Sequence, residues 1–205
     1  MYRSPALMNQ LHRQMHSQRH RLPILANRVV SRPCDVFINH RGIDTKRTVA
    51  SLLYDHLVRH SLRPFLDNKN MKPGDKLFDK INAAIKECKI GVAVFSPNYC
   101  KSYFCLHELA MIMETKKKVI PIFCDVKPSE LKVVDNGSVP KNDIQRFSAA
   151  LEEAKYTVGL TFDSLKGNWS DVVTNAAAIV IDSMRDLEEK QLQHQLYSGI
   201  YFPKH

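Results

Sequence analysis

Glycine is scarce in this chain of 205 residues, with seven in all, and no glycine-rich turn of a nucleotide-binding type is present. Gly42 stands alone after the first apolar run, which excludes a dinucleotide-binding Rossmann turn, and the Walker A pattern is missing altogether. Paired cysteines are missing too. Cys34, Cys88, Cys100, Cys105 and Cys124 are odd in number, form no C-x-x-C, and mostly fall within apolar strand or helix patterns. That is free-thiol usage in a reducing compartment, and it gives zinc little support. No apolar stretch approaches the length that spans a bilayer, and no secretory h-region opens the chain. A soluble protein with no membrane partner is therefore expected.

Acidic residues and lysine are both absent from Met1 to Pro33, where arginine occurs six times. Taking those six charges from the formal +9 leaves the rest of the chain at +3. With His12, His16 and His20, residues 1–33 read as a basic disordered arm, an organelle transit peptide being the other reading. The modest charge of the remainder argues against a dedicated nucleic-acid-binding domain; nucleic acid would be held by the arm, weakly and in a salt-dependent way. The expected location is cytoplasmic or nucleocytoplasmic, with organelle import as the alternative. The length suits one domain with a full core, here residues 34–187, followed by a tail over 188–205.

What is present alternates strand and helix. Asp35-Val36-Phe37-Ile38 is an apolar run that opens onto Asn39, His40 and Arg41, a cationic turn beyond a strand end, better suited to a phosphate than to a divalent metal. Asp44 to His60 has helical spacing, with Val49, Leu52, Leu53 and Leu57 on one stripe. Residues 61–66 form a short second strand ending at Asp67; Asn68 to Gly74 is a polar loop with a Pro73-Gly74 turn, and Asp75 is placed to cap a helix running to about Lys86. Ile90 to Phe95 is a central parallel strand, and Val119 to Cys124 another, set toward an edge or bulged by Pro121. Asn142 to Ala154 and Trp169 to Arg185 read as helices, with a fifth strand between Lys155 and Lys166. This is an α/β chain with a flavodoxin-like doubly wound sheet, mainly parallel, of about five strands with helices on both faces. A response-regulator receiver has that topology but needs acids where this chain has Asn39-His40-Arg41 and Ser96-Pro97.

The segment after the third strand carries the second signal. On a helical projection Leu106, Leu109, Ala110 and Met113 form an apolar stripe, and His107, Glu114 and Lys118 a polar one. Glu108 belongs to neither and falls in a second, mostly apolar stripe with Phe104, Cys105 and Ile112, where a carboxylate is partly desolvated. A glutamate taken alone is most simply a surface partner for a lysine. Its position beside the cationic turn favours a functional role.

Four blocks, CDVFINHRGIDT, NKNMKPGDKL, VFSPNYCKSYFCLHEL and VIPIFCDVKPSEL, occur in the order of the signature blocks of plant TIR (Toll/interleukin-1 receptor) domains, and the chain resembles that family over about Cys34 to Arg185. With no room for nucleotide-binding and leucine-rich modules, it resembles the TIR-only proteins. The resemblance implies an NAD glycohydrolase and cyclase that cleaves the nicotinamide-ribose bond, releasing nicotinamide, ADP-ribose and cyclic ADP-ribose isomers as plant immune and cell-death signals. It places the catalytic carboxylate on Glu108, substrate contacts on His40, Arg41, Gly42, Ser102 and Phe104, and a mobile loop on Met71, Pro73 and Gly74. NAD is then the substrate, with no cofactor and no metal, and the implied partners are further copies of the chain and other TIR proteins. Three positions depart from the family pattern: His40 stands for an aromatic residue, Phe104 for a tryptophan, and Ser51-Leu52 for a Ser-His pair that mediates self-association in relatives. Trp169 has a family counterpart and is expected to anchor the core. The alternatives are a catalytically weak adaptor acting through TIR-TIR contacts, and a 2′,3′-cyclic nucleotide synthetase acting on nucleic acid.

Overall fold

A computed structural model describes residues 34–134 and 140–200; the basic arm lies outside these residues. Five strands, β1 (Val36–His40), β2 (Pro64–Phe65), β3 (Ile90–Phe95), β4 (Lys118–Cys124) and β5 (Leu160–Phe162), form one sheet in the order β2-β1-β3-β4-β5. Every pairing is parallel. Around it lie α1 (Gly42–Thr45), α2 (Val49–Arg59), α3 (Asp67–Asn70), α4 (Leu77–Glu87), α5 (Tyr103–Glu114), α6 (Lys141–Lys155) and α7 (Trp169–Ile200). The chain leaves β1 toward one edge and returns at β3 on the other side, so the strand order reverses between them, and a crevice opens beyond their carboxyl ends.

Alternation along each strand builds two cores. Val36 and Ile38 join Val92, Val94, Ile120 and Ile122 under α2 and α7. Phe37 points the other way, with Phe95 and Phe123, into the core beneath α4, α5 and α6. Both faces are covered, which is why the strands read as unbroken apolar runs. Helix α5 approaches β3 closely at Gly91, where a Cβ would stand 2.7 Å from Ile112 Cγ2, and this contact seats the helix that carries Glu108. Trp169 packs its ring on Phe162, with centroids 4.6 Å apart, and is a core anchor as expected.

Several local expectations are corrected. The segment from Asp44 to His60 is two helices with a turn between them. After α1 the chain turns over residues 46–48, where Ser51 Oγ donates to the Lys46 carbonyl, and α2 begins at Val49. All four expected core residues lie on α2, but Leu52 falls outside the arc that packs on the sheet: it is 45% exposed, while Ala50 joins Val49, Leu53 and Leu57 in the core. Asp75 caps no helix; its carboxylate accepts from the Lys72 N–H and closes the turn before α4. Pro121 is placed as expected: β4 lies one strand in from the edge, and β5 pairs only from Ile122 onward, beyond the proline. The last helix runs on past Arg185 to Ile200, with Leu187 still on the core and Leu192 and Leu196 exposed.

Two polar contacts fix the amino-terminal side of the sheet. The ammonium of Lys117 donates to the carbonyls of Ile85 and Lys86 at 2.6 Å each and to that of Cys88, so a cation closes the carboxyl end of α4. At the start of β1, Asp35 is buried and grips Arg63 through both oxygens, 2.7 Å from Nε and 2.6 Å from Nη2, and also accepts from the Arg63 backbone N–H. Burial alone would raise the Asp35 pKa, but the bonds from Arg63 hold it below the ordinary value. Asp35→Ala is expected to cost about 2 kcal/mol, toward the lower end for a broken buried pair because Arg63 can still reach water. With its pKa depressed in the fold, Asp35 contributes stability above about pH 4 that is lost as the pH falls further. Chemical denaturation at pH 7 and pH 3 checks both: the difference between wild type and variant should shrink at the lower pH.

Candidate active site

Asn39, at the end of β1, is wholly buried and organises the crevice. Its Nδ2 donates to Glu108 Oε2 at 2.8 Å and to the Cys105 carbonyl at 3.2 Å, while its Oδ1 accepts from the Tyr99 hydroxyl. Glu108 is half-buried in the middle of α5. Burial, supplemented by the negative charge of Asp67, pushes its pKa up to about 8 against the opposing hydrogen bond from Asn39. A group so placed is protonated at neutral pH and close to ionising.

His40 follows Asn39 and is buried, with Nδ1 3.0 Å from Thr45 Oγ1 and Nε2 3.4 Å from Asp67 Oδ1. The hydrogen bond from His40 is the chief reason the Asp67 pKa is lowered. Asp44 is committed elsewhere: Ser96 Oγ donates to it at 2.6 Å, and the backbone and side-chain nitrogens of Asn98 at 2.9 Å each, tying α1 to the end of β3. Burial acts to raise its pKa, but these bonds leave it lowered. Arg41 shares the crevice, and its buried Nε has no hydrogen-bond partner among the described residues. Arg41 thus carries one buried, unsatisfied donor on a side chain that lines the cleft.

The cleft has a volume of about 650 Å³, within the ordinary range for a small-molecule site. Lys46 and Arg47 add positive charge to its rim, and Ile43, Leu77 and Ile81 supply apolar wall. Ser102 lines it while capping α5, its Oγ accepting from the Cys105 N–H at 3.3 Å. Phe104 lines it from the first turn of α5; the residue is 41% exposed, and its ring lies 5.3 Å from that of Phe78, tilted by 30°. The cleft therefore gathers His40, Arg41, Gly42, Ser102, Phe104 and Glu108. Met71, Pro73 and Gly74 do not line it: Met71 packs on the core, Pro73 is exposed, and Gly74 turns the chain at φ +95° with open space around it. The turn after β1 is also less purely cationic than its own sequence suggests, because Asp67 and Glu108 arrive from other elements. Asp67 had a legible signal, since it lies two residues beyond β2 and a parallel neighbour ends beside β1.

Residues 34–168 match the family model for the TIR domain. The chain belongs to the TIR family. Among relatives of this TIR domain, a Brachypodium distachyon protein named "Probable 2′ cyclic ADP-D-ribose synthase BdTIR" is 52% identical over 161 residues, covering 77% of this chain and 72% of that protein. The TMV resistance protein N of Nicotiana glutinosa is 38% identical over 123 residues; the match covers 58% of this chain but 10% of that protein. Of solved structures, the TIR domains of the activated Roq1 resistosome superpose with a TM-score of 0.61 at 28% identity, covering 72% of this chain and 99% of that one. No helix among the described residues is long and apolar enough to cross a membrane.

The raised pKa of Glu108 is a stability statement of opposite sign to that of Asp35. The folded TIR domain holds a proton that the unfolded chain releases near pH 4, so stability declines as the pH climbs from about 4 toward 8. Glu108→Gln keeps the shape and removes the titration. Denaturation midpoints at pH 5, 7 and 9 should fall less steeply in the variant than in the wild type.

Proposed function

We propose that this TIR domain cleaves the nicotinamide-ribose bond of NAD and yields nicotinamide, ADP-ribose and cyclic ADP-ribose isomers as signals in plant defence. One observation carries the reading. A single desolvated carboxyl, Glu108, is fixed by Asn39 in a cleft that Arg41, Lys46 and Arg47 also line. The printed name of the Brachypodium distachyon relative supports the same chemistry.

Nicotinamide leaves NAD as a neutral ring, taking the bonding electrons and needing no proton. A second carboxyl acting as general acid, required when a sugar oxygen departs, is therefore dispensable. The ribose acquires oxocarbenium character as the bond breaks, and an ionised Glu108 facing it stabilises that charge. Glu108 is poised near pH 8 in the free protein, and the cationic nicotinamide ribose favours its ionised form, so substrate entry promotes loss of the proton. Water attacking C1′ gives ADP-ribose; attack by a ribose hydroxyl of the same molecule gives a cyclic isomer. In either case the attacking O–H loses its proton, and Glu108 is the base within the cleft. Arg41, helped by Lys46 and Arg47, is assigned to the pyrophosphate, and the Phe104 face to an aromatic ring of the substrate.

A second reading, an adaptor working through TIR-TIR contacts, has the exposed Leu52 in its favour: it lies on α2 beside a groove lined by His56, Trp169 and Val173. The two readings join if association completes the catalytic cleft. The Met71, Pro73 and Gly74 turn, standing clear of the cleft, is then the element that assembly orders.

Glu108→Gln is expected to fold normally and lose NAD cleavage by about a hundredfold or more. Nicotinamide release by chromatography, beside circular dichroism, checks this; a folded variant with most of its activity would remove Glu108 from the mechanism. Specific activity of the wild type should also rise with protein concentration. A dilution series showing constant specific activity from a monomer would separate catalysis from assembly.

A further inference from the structure

Away from the cleft, the end of α2 brings two imidazoles together. Nε2 of His56 lies 3.3 Å from Nε2 of His60, one helical turn on. The ring centroids are 5.0 Å apart and the planes differ by 31°, so the two rings lean toward each other at their nitrogen edges. His60 is exposed and His56 half-buried, which leaves the pair open to solvent. As free side chains, two imidazoliums repel, while two neutral rings of complementary tautomer share one N–H···N hydrogen bond.

A metal ion uses both lone pairs. With metal-nitrogen bonds of about 2.05 Å, two ligands at adjacent corners of a tetrahedron stand about 3.3 Å apart, whereas a square-planar ion would need about 2.9 Å. The observed separation is the tetrahedral one. We propose that His56 and His60 form a bidentate site for a borderline divalent transition metal, zinc foremost. The carboxyl end of α2 adds the partial negative charge of its last carbonyls, which favours a cation. Arg59, which lines the same groove as His56, opposes it, and Asp55 is engaged with Lys69 at 3.4 Å. No cluster of three or more His, Cys, Asp or Glu suited to a metal occurs among the described residues, so the remaining coordination positions go to water. Oxygen-seeking magnesium and calcium gain nothing from two imidazoles. The cysteine pattern, which gave zinc little support, has no bearing on a site built from histidine, and His-x-x-x-His was legible in the sequence.

The test is a titration of the full chain with Zn²⁺, followed by nuclear magnetic resonance of the imidazole nitrogens, with ring signals assigned from single His→Ala variants. The His56 and His60 signals should move together at about one equivalent, magnesium should leave them unmoved, and acid should reverse the change because a ligating imidazole must be neutral. In His60→Ala, an exposed position, the His56 ring should require roughly tenfold more zinc or greater. His12, His16 and His20 share the four-residue spacing and serve as an internal comparison. The site is overturned if zinc moves only those three rings, if neither His56 nor His60 responds, or if His56 responds equally well without His60.

Discussion

The Asn39 side chain is the contact on which the site depends. It must donate to a carboxyl and a carbonyl and accept from a phenol at once, and among neutral side chains of its size only an amide does all three. An aspartate there would face Glu108 with like charge, and a leucine would orphan the Tyr99 hydroxyl and the Cys105 carbonyl in a dry interior. Through that one amide, the end of β1, the segment after β3 and the first turns of α5 are held in register. Burial is what makes the contact matter: Asn39 has no exposed surface, so water cannot replace a lost partner.

Three carboxyl groups stand around one crevice and differ in what surrounds them. Asp44 is saturated by Ser96 and Asn98, and Asp67 is held by His40; both are lowered. Glu108 has a single donor and a desolvated seat, and is raised. Environments that push like groups apart in this way divide labour among them, leaving the first two as fixed anions and the third as the one able to exchange a proton near neutral pH. The hydrogen bond from His40 is the largest of the contacts that lower the Asp67 pKa beside Glu108.

Much of this was legible in the sequence. The five strands and the doubly wound topology follow from apolar runs that both faces of a parallel sheet require, and Glu108 betrayed itself by falling on an apolar stripe. The resemblance to TIR domains named the residues that line the cleft. The failures share a cause: spacing along the chain shows that a residue belongs to a stripe or a turn, but not which neighbour it meets. Leu52 reads as inward because a leucine at the margin of a stripe looks like part of it, and only the packing of α2 shows that the smaller Ala50 takes the core side. Asp75 looked like a cap because a cap and a turn use the same side chain. The pairing of Asn39 with Glu108 spans sixty-nine positions and has no local signal.

The lysine seated on the far end of α4 has a mechanical meaning. Lys117 holds the carbonyls of Ile85 and Lys86, while Leu77 and Ile81, at the other end of the same helix, form part of the cleft wall. The wall is thus anchored away from the ligand and lightly held next to it, as a lever fixed at one end. Movement at the mouth would be taken up by Leu77 and Phe78, both exposed, and resisted by the contacts of Phe78 with Phe104 and His107, while Ile81 stays in the core. Cleft width can then change while both hydrophobic layers stay packed.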